Sequence, residues 1–152
     1  DQDLTLILDV FEFEPEPEIA LIQQCFISTP HIAGYSLDGK LRGSYMVYQA
    51  CCQSFGWQEN IFEGEGNFSK IETLSVAQGD DWAQLNRLIM VSFDVRADDG
   101  RFRRLFTLNS NAQTFDALRK NYVERREFST IEVQSDSSDL SLLARSAGFE
   151  IK

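Results

Sequence analysis

Leu4 to Val10, Leu-Thr-Leu-Ile-Leu-Asp-Val, is a nearly continuous apolar run that stops in an acidic, proline-containing stretch. A strand of that composition reads as buried on both faces, and such strands belong to parallel sheets covered by helices. The next residues keep to the same scheme. Glu16 to Gln24 sets Ile19, Leu21 and Ile22 in a polar frame, which fits a short helix, and Cys25 to Ser28 reads as a second short strand. Together they resemble the last units of a doubly wound (Rossmann-like) α/β domain, in which ligands bind beyond the carboxyl ends of the strands. Asp9, Glu14 and His31 all fall at those ends.

After Gly34 the apolar spacing becomes helical. Leu41, Tyr45, Tyr48, Cys52 and Phe55 recur at intervals of three or four, with Ser36 or Asp38 as the cap and Gly56 as the stop. Trp57 to Ser69 has no periodicity and reads as a linker. Beyond it, Lys70 to Val76 alternates like a strand, and Asp81 to Phe93 has a helical face in Leu85, Leu88 and Ile89. Gln113 to Arg126 groups Phe115, Leu118 and Tyr122, Phe128 to Val133 is a further strand, and Ser137 to Ala147 is a helix stopped by Gly148 before a terminal strand, Phe149 to Ile151. Asp94 to Asn111 is ambiguous, with a helix around Arg101 to Phe106 as its clearest part. The expected organisation is the end of a doubly wound α/β domain and its following helix over 1–56, a linker over 57–69, and a small α+β module over 70–152. Such a small module needs cover for its exposed face, and self-association is the simplest cover.

Composition narrows the chemistry. Fourteen Lys plus Arg against 24 Asp plus Glu leave a formal charge of −10, which opposes general attraction to nucleic acid or to an anionic membrane. No apolar run approaches the roughly 18 residues of a membrane span, and the first residues lack the layout of a signal peptide. The expectation is a soluble, cytoplasmic protein. Cys25, Cys51 and Cys52 form neither a disulfide framework nor a metal-ligand spacing, so reduced thiols and no metal site are expected. The chain starts at Asp1 without a Met and runs straight into an apolar strand, and it reads as the C-terminal part of a longer protein.

His31 is the only histidine, seventeen positions after Glu14. An imidazole and a carboxylate at the outlets of two strands can meet in one cleft and form a proton-transferring dyad. Each candidate also has a bland reading. A lone histidine is often structural, and Glu14 belongs to a run of acids, Glu12, Glu14, Glu16 and Glu18, of a kind usually solvated. Asp9 closes a buried strand and needs a partner, either a ligand or a loop amide. Gly34, a glycine after a strand, reads by default as a turn residue, and Tyr35 can be read as core. Arg119, Lys120, Arg125 and Arg126 are a solvated helix face with Glu124 and Glu127, or else a contact for phosphate.

Leu-Asp-Val-Phe-Glu-Phe-Glu-Pro (8–15) and Thr-Pro-His-Ile-Ala-Gly-Tyr (29–35) resemble the C-terminal catalytic motifs of the NAD-dependent D-2-hydroxyacid dehydrogenases. Gly-Tyr-Ser-Leu-Asp-Gly-Lys-Leu-Arg-Gly (34–43) and Leu-Arg-Lys-Asn-Tyr-Val-Glu-Arg-Arg-Glu-Phe (118–128) narrow the resemblance. They are similar to members that take a phosphorylated hydroxy acid and carry a C-terminal dimerization domain, a tail most of the superfamily lacks. The resemblance implies NAD as cofactor, a homodimer, and an α/β fold in which 1–56 closes the nucleotide-binding domain and 70–152 is the dimerization domain. It makes His31 the acid/base and Glu14 the carboxylate that orients and charges it. Asp9 and Gly34 would contact the cofactor and Tyr35 would face the substrate. The family's Gly-rich dinucleotide loop and catalytic arginine would lie before Asp1, so this stretch alone is expected to be catalytically incompetent. Two other readings compete: a dehydrogenase of the same family with a different acid as substrate, and an association module without catalysis.

Overall fold

A computed structural model of the chain describes residues 4–60, 72–75 and 79–152. They form two compact units, each assembled from two separated stretches: Asp1–Ala33 with Asp94–Val123, and Gly34–Phe93 with Glu124–Lys152.

The first unit opens as expected with strand, helix and strand. β1 (Ile7–Leu8) and β2 (Ile27–Ser28) are parallel and joined through α1 (Ile19–Gln24), with Ile7 opposite Ile27 and Leu8 opposite Ser28. The expected burial of both faces is not observed. Leu6 and Leu8 pack against the core, while Leu4, Ile7 and Val10 are 76%, 62% and 57% exposed. Alternate residues of a strand point to opposite faces, so Ile7 faces away from Leu6 and Leu8 to a side that cover does not reach among the described residues, while Leu4 and Val10 lie outside β1.

Two helices complete this unit, α4 (Val95–Leu108) and α5 (Ala112–Lys120). The ambiguous segment is therefore one long helix, begun by Asp94, whose carboxylate accepts the Arg96 N–H at 3.0 Å. Phe102 and Phe106, one turn apart on α4, join Phe115 and Leu118 of α5 and Phe11, Ile22 and Cys25 in one core. Phe102 and Phe115 have no exposed surface, and Phe106 is 1% exposed. Burial of each ring stabilises the unit by roughly 1.5–3 kcal/mol. Helix α5 stops at Lys120 rather than near Arg126. Beyond it the backbone is used elsewhere: the Glu127 N–H donates to Asp38 and the Arg125 carbonyl accepts from the Leu37 N–H. Tyr122 leaves the helix, and its hydroxyl donates to the buried Asp98 at 2.7 Å.

The second unit contains α2 (Leu37–Phe55), β3 (Glu72–Ser75), α3 (Asp81–Ser92), a 3-10 turn (Phe128–Thr130), β4 (Ile131–Gln134), α6 (Ser138–Ser146) and β5 (Glu150–Ile151). Its sheet runs in the order β3-β4-β5 with both pairings parallel. An α+β module was expected, and the parallel pairing makes it α/β instead. A parallel neighbour cannot be reached by a hairpin, so β4 passes to β5 through α6. Leu85 and Leu88 of α3, Ile131 and Val133 of β4, Leu140 and Ala144 of α6, and Phe149 form the core. The stops at Gly56 and Gly148 were legible, and Ser36 was one of two caps the sequence offered. Ser36, Asp80 and Ser137 each accept the N–H of the residue three positions on, and Gly56 (φ 65°) and Gly148 (φ 102°) hold left-handed positions after α2 and α6. Most of the expected linker, 61–69, and residues 70, 71 and 76 of the expected strand lie outside the described residues. Among the described residues no helix is long and apolar enough to cross a membrane.

Candidate active site

The outlet of β1 organises a tight loop. The Asp9 carbonyl accepts the His31 N–H at 2.7 Å. Its carboxylate takes three more donors from the same loop: the Thr29 hydroxyl at 2.6 Å and the Ile32 N–H at 2.8 Å on Oδ1, and the Ala33 N–H at 3.0 Å on Oδ2. Inside this ring of bonds His31 has φ 56°, a left-handed conformation that costs an L residue roughly 1–2 kcal/mol. The resulting turn brings the imidazole to Glu14, with Nδ1 2.6 Å from Oε2. The other Glu14 oxygen accepts the Phe11 N–H at 2.8 Å, so both carboxylate oxygens are committed. A carboxylate is an acceptor, which puts the imidazole proton on Nδ1 and leaves Nε2 with the lone pair in the neutral ring. The Glu14 side chain is 18% exposed and that of His31 46%. The carboxylate is therefore the more buried partner and the imidazole the more exposed one.

The structure thus brings together Asp9, Glu14 and His31, all of the first unit. Gly34 and Tyr35 belong to the second unit. Gly34 is exposed, and a Cβ built there meets nothing within 4 Å. The Tyr35 ring has the Lys40 Nζ 4.4 Å from its centroid. The four basic residues separate by role. Arg119 directs Nε towards the His31 carbonyl at 3.4 Å, and Lys120 lies 3.9 Å from Asp116. Arg125 stacks on Phe93 at 4.4 Å from the ring centroid. Arg126 grips Asp38, with Nε 3.0 and 3.1 Å from its oxygens and the terminal nitrogen at 2.9 Å. Of the two caps offered by the sequence, Ser36 takes the role, also bonding Glu127, and Asp38 turns inward to this ion pair. Burial alone pushes the Asp38 carboxyl up, but the Arg126 guanidinium and the Glu127 N–H outweigh it and hold the group below the usual carboxylate range.

Sequence reasoning missed Asp99 and Arg103. Asp99 Oδ1 accepts the Ser28 N–H at 2.7 Å and the Ser28 hydroxyl at 3.0 Å, and Arg103 Nε lies 2.7 Å from the same oxygen. The signal that could have found them is their spacing: an acid and an arginine four apart on a helix also carrying Phe102 and Phe106. The Cys25 thiol donates to the Leu21 carbonyl at 3.2 Å, and burial pushes its pKa up, against the pull of Arg103 and with Asp99 also raising it.

A family model described as a domain of unknown function, DUF3410, matches residues 67–148, more than half of the chain. The chain belongs to the DUF3410 family. The DUF3410 match begins after α2 and runs through β3, α3, α4, α5, β4 and α6. It leaves His31 and Glu14 outside but includes the two helices that complete their unit.

Relatives extend the likeness across the dyad as well. The chain is 40% identical, over 96% of its length, to an erythronate-4-phosphate dehydrogenase of Ectopseudomonas mendocina (strain ymp). It is 43% identical over 87% of its length to one of Aeromonas salmonicida (strain A449), and 40% over 93% to one of Tolumonas auensis. The dehydrogenase resemblance read from the two catalytic motifs is borne out by these relatives. The chain spans only 40%, 34% and 38% of their respective lengths.

Proposed function

We propose that this chain is the C-terminal part of a dehydrogenase that oxidises 4-phospho-D-erythronate to its 2-oxo acid with NAD, a step of vitamin B6 synthesis. The observation that carries the reading is the 2.6 Å contact of His31 Nδ1 with Glu14, on a side chain that is 46% exposed. Oxidation of a secondary alcohol needs an acceptor for the hydroxyl proton at the moment hydride leaves the carbon. His31 Nε2 takes that proton. Glu14 fixes the ring through Nδ1 and stabilises the imidazolium that forms, and its own second oxygen is anchored by Phe11 so that the pair does not rotate.

The residues present fit a nicotinamide. Asp9 Oδ2, bonded to the exposed Ala33 N–H, keeps acceptor capacity for an amide donor, and Gly34 leaves space for a close approach. When bound, the nicotinamide supplies the acceptor for the departing hydride. Tyr35 faces the substrate in this reading. The protein acts as a cytoplasmic homodimer, with 70–152 as the association module.

The test is turnover of the complete gene product with phosphorylated and unphosphorylated 2-hydroxy acids. The His31→Ala protein is expected to lose about 10²–10⁴ in rate while NAD affinity stays at the wild-type value. Undiminished turnover in that variant overturns the assignment, and a preference for an unphosphorylated acid moves the substrate within the family.

A further inference from the structure

We infer that Asp99 and Arg103, on the DUF3410 helix α4, are positioning residues for the His31–Glu14 dyad. The inference rests on the reading of His31 as the proton acceptor.

Strand β2 ends at Ser28, shortly before His31. Phe26 and Thr29 donate their N–H groups to Leu6 and Leu8, across to β1. The Ser28 N–H bonds away from β1, at an edge of the sheet that no further strand covers among the described residues. Such an edge N–H needs a further strand, a side chain or water. Here Asp99 Oδ1 closes it, taking the N–H at 2.7 Å and the hydroxyl at 3.0 Å, and Ser28 has no exposed surface. Arg103, one turn further along α4, fixes that oxygen at 2.7 Å. Its two terminal nitrogens reach the carbonyls of Ile22 at 2.7 Å and Cys25 at 2.8 Å, where α1 ends. The planar guanidinium thus joins the carboxylate to carbonyls that a helix end leaves without intrahelical donors.

The loop that carries His31 is consequently anchored twice. Asp9 holds it to β1, and Asp99 holds Ser28, the strand residue from which it leaves, to α4. The same helix supports the other partner. Phe102 packs at 5.8 Å between ring centroids against Phe11, whose N–H holds Glu14. A backbone in a sparsely populated conformation persists only where its surroundings over-determine it, and His31 at φ 56° is in that situation. Without Asp99 the stretch from Ser28 relaxes and the imidazole leaves Glu14. What the loop needs from position 99 is an acceptor oxygen, which asparagine retains and alanine does not.

The experiment uses the complete protein labelled with 15N-histidine, the His31→Ala variant assigning the ring signals. In the wild type the Nδ1 proton exchanges slowly with solvent because Glu14 holds it. Asp99→Ala is expected to speed that exchange about tenfold or more and to lower kcat by a similar factor, with KM for NAD unchanged. Asp99→Asn restores both, and Ser28→Ala, which removes one of the two bonds, falls between. If Asp99→Ala does not fold, as a circular-dichroism melt will show, Ser28→Ala against wild type decides. Equal Nδ1 exchange in the wild type, Ser28→Ala and every folded Asp99 variant overturns the inference, as does an Asp99→Asn protein as impaired as a folded Asp99→Ala protein. Faster exchange in Asp99→Ala, together with turnover that survives His31→Ala, leaves the positioning intact and overturns the proton-acceptor reading instead.

Discussion

At Asp38 burial and pairing oppose one another. The side chain is 1% exposed, and Arg126 with the Glu127 N–H keeps it ionised. Its folded pKa lies below that of an unfolded carboxyl, about 3.9. The pair's stabilisation is therefore fully present above that value and is lost as pH falls through the lower folded pKa. Asp38→Ala is expected to destabilise the second unit by about 3–5 kcal/mol at neutral pH, and urea titrations of the two proteins should converge on acidification below about pH 4. Gly34 tests the opposite situation. A Cβ there meets nothing within 4 Å, so Gly34→Ala should leave the melting temperature unchanged. Calorimetric titration with NAD should show weaker binding if the cofactor lies against this residue, and equal affinity would remove Gly34 from the cofactor site. The sequence pointed to both residues without deciding their roles, because a capping acid and a buried one look alike until the partner, 88 positions away, is placed.

Among the elements, α4 was the least legible and carries the most. Its charged residues, Arg96, Asp98, Asp99, Arg101, Arg103 and Arg104, and Gly100 at its middle hide the two phenylalanines that define its buried stripe. Phe102 touches Phe11, Phe106 and Phe115 with centroids at 5.8, 5.4 and 6.0 Å. Phe102→Ala should cost about 3–5 kcal/mol, read from the urea midpoint. It should also loosen the Phe11 turn that supports Glu14. Helix α2 was legible through its periodicity and its stop at Gly56, with its start narrowed to Ser36 or Asp38, since caps and periodicity are local properties. The end of α5 was not. Periodicity runs on to Tyr122, and the competing bonds to Asp38 and Asp98 are made by residues remote in sequence.

The chain as a whole folds into two units that each take a leading and a later stretch, and no local pattern announces such an exchange. The α4–α5 pair falls within the DUF3410 match yet completes the core beside the dyad. A role in self-association for 70–152 predicts a dimer of the complete protein in sedimentation equilibrium, and a monodisperse monomer at micromolar concentration would dismiss it. By itself the sequence determined the α/β class of the first unit, most of the order of elements, the glycine stops after α2 and α6 and the pairing of His31 with Glu14, because each follows from composition, spacing or a short motif. Only the tertiary structure decided that the second sheet is parallel and that Asp38 is paired rather than capping. It also decided that His31 stands left-handed between Asp9 and Glu14, and that Asp99 closes the edge behind it. Those outcomes depend on which hydrogen-bonding groups meet across long stretches of chain, and a buried donor or acceptor takes whichever partner the fold brings to it.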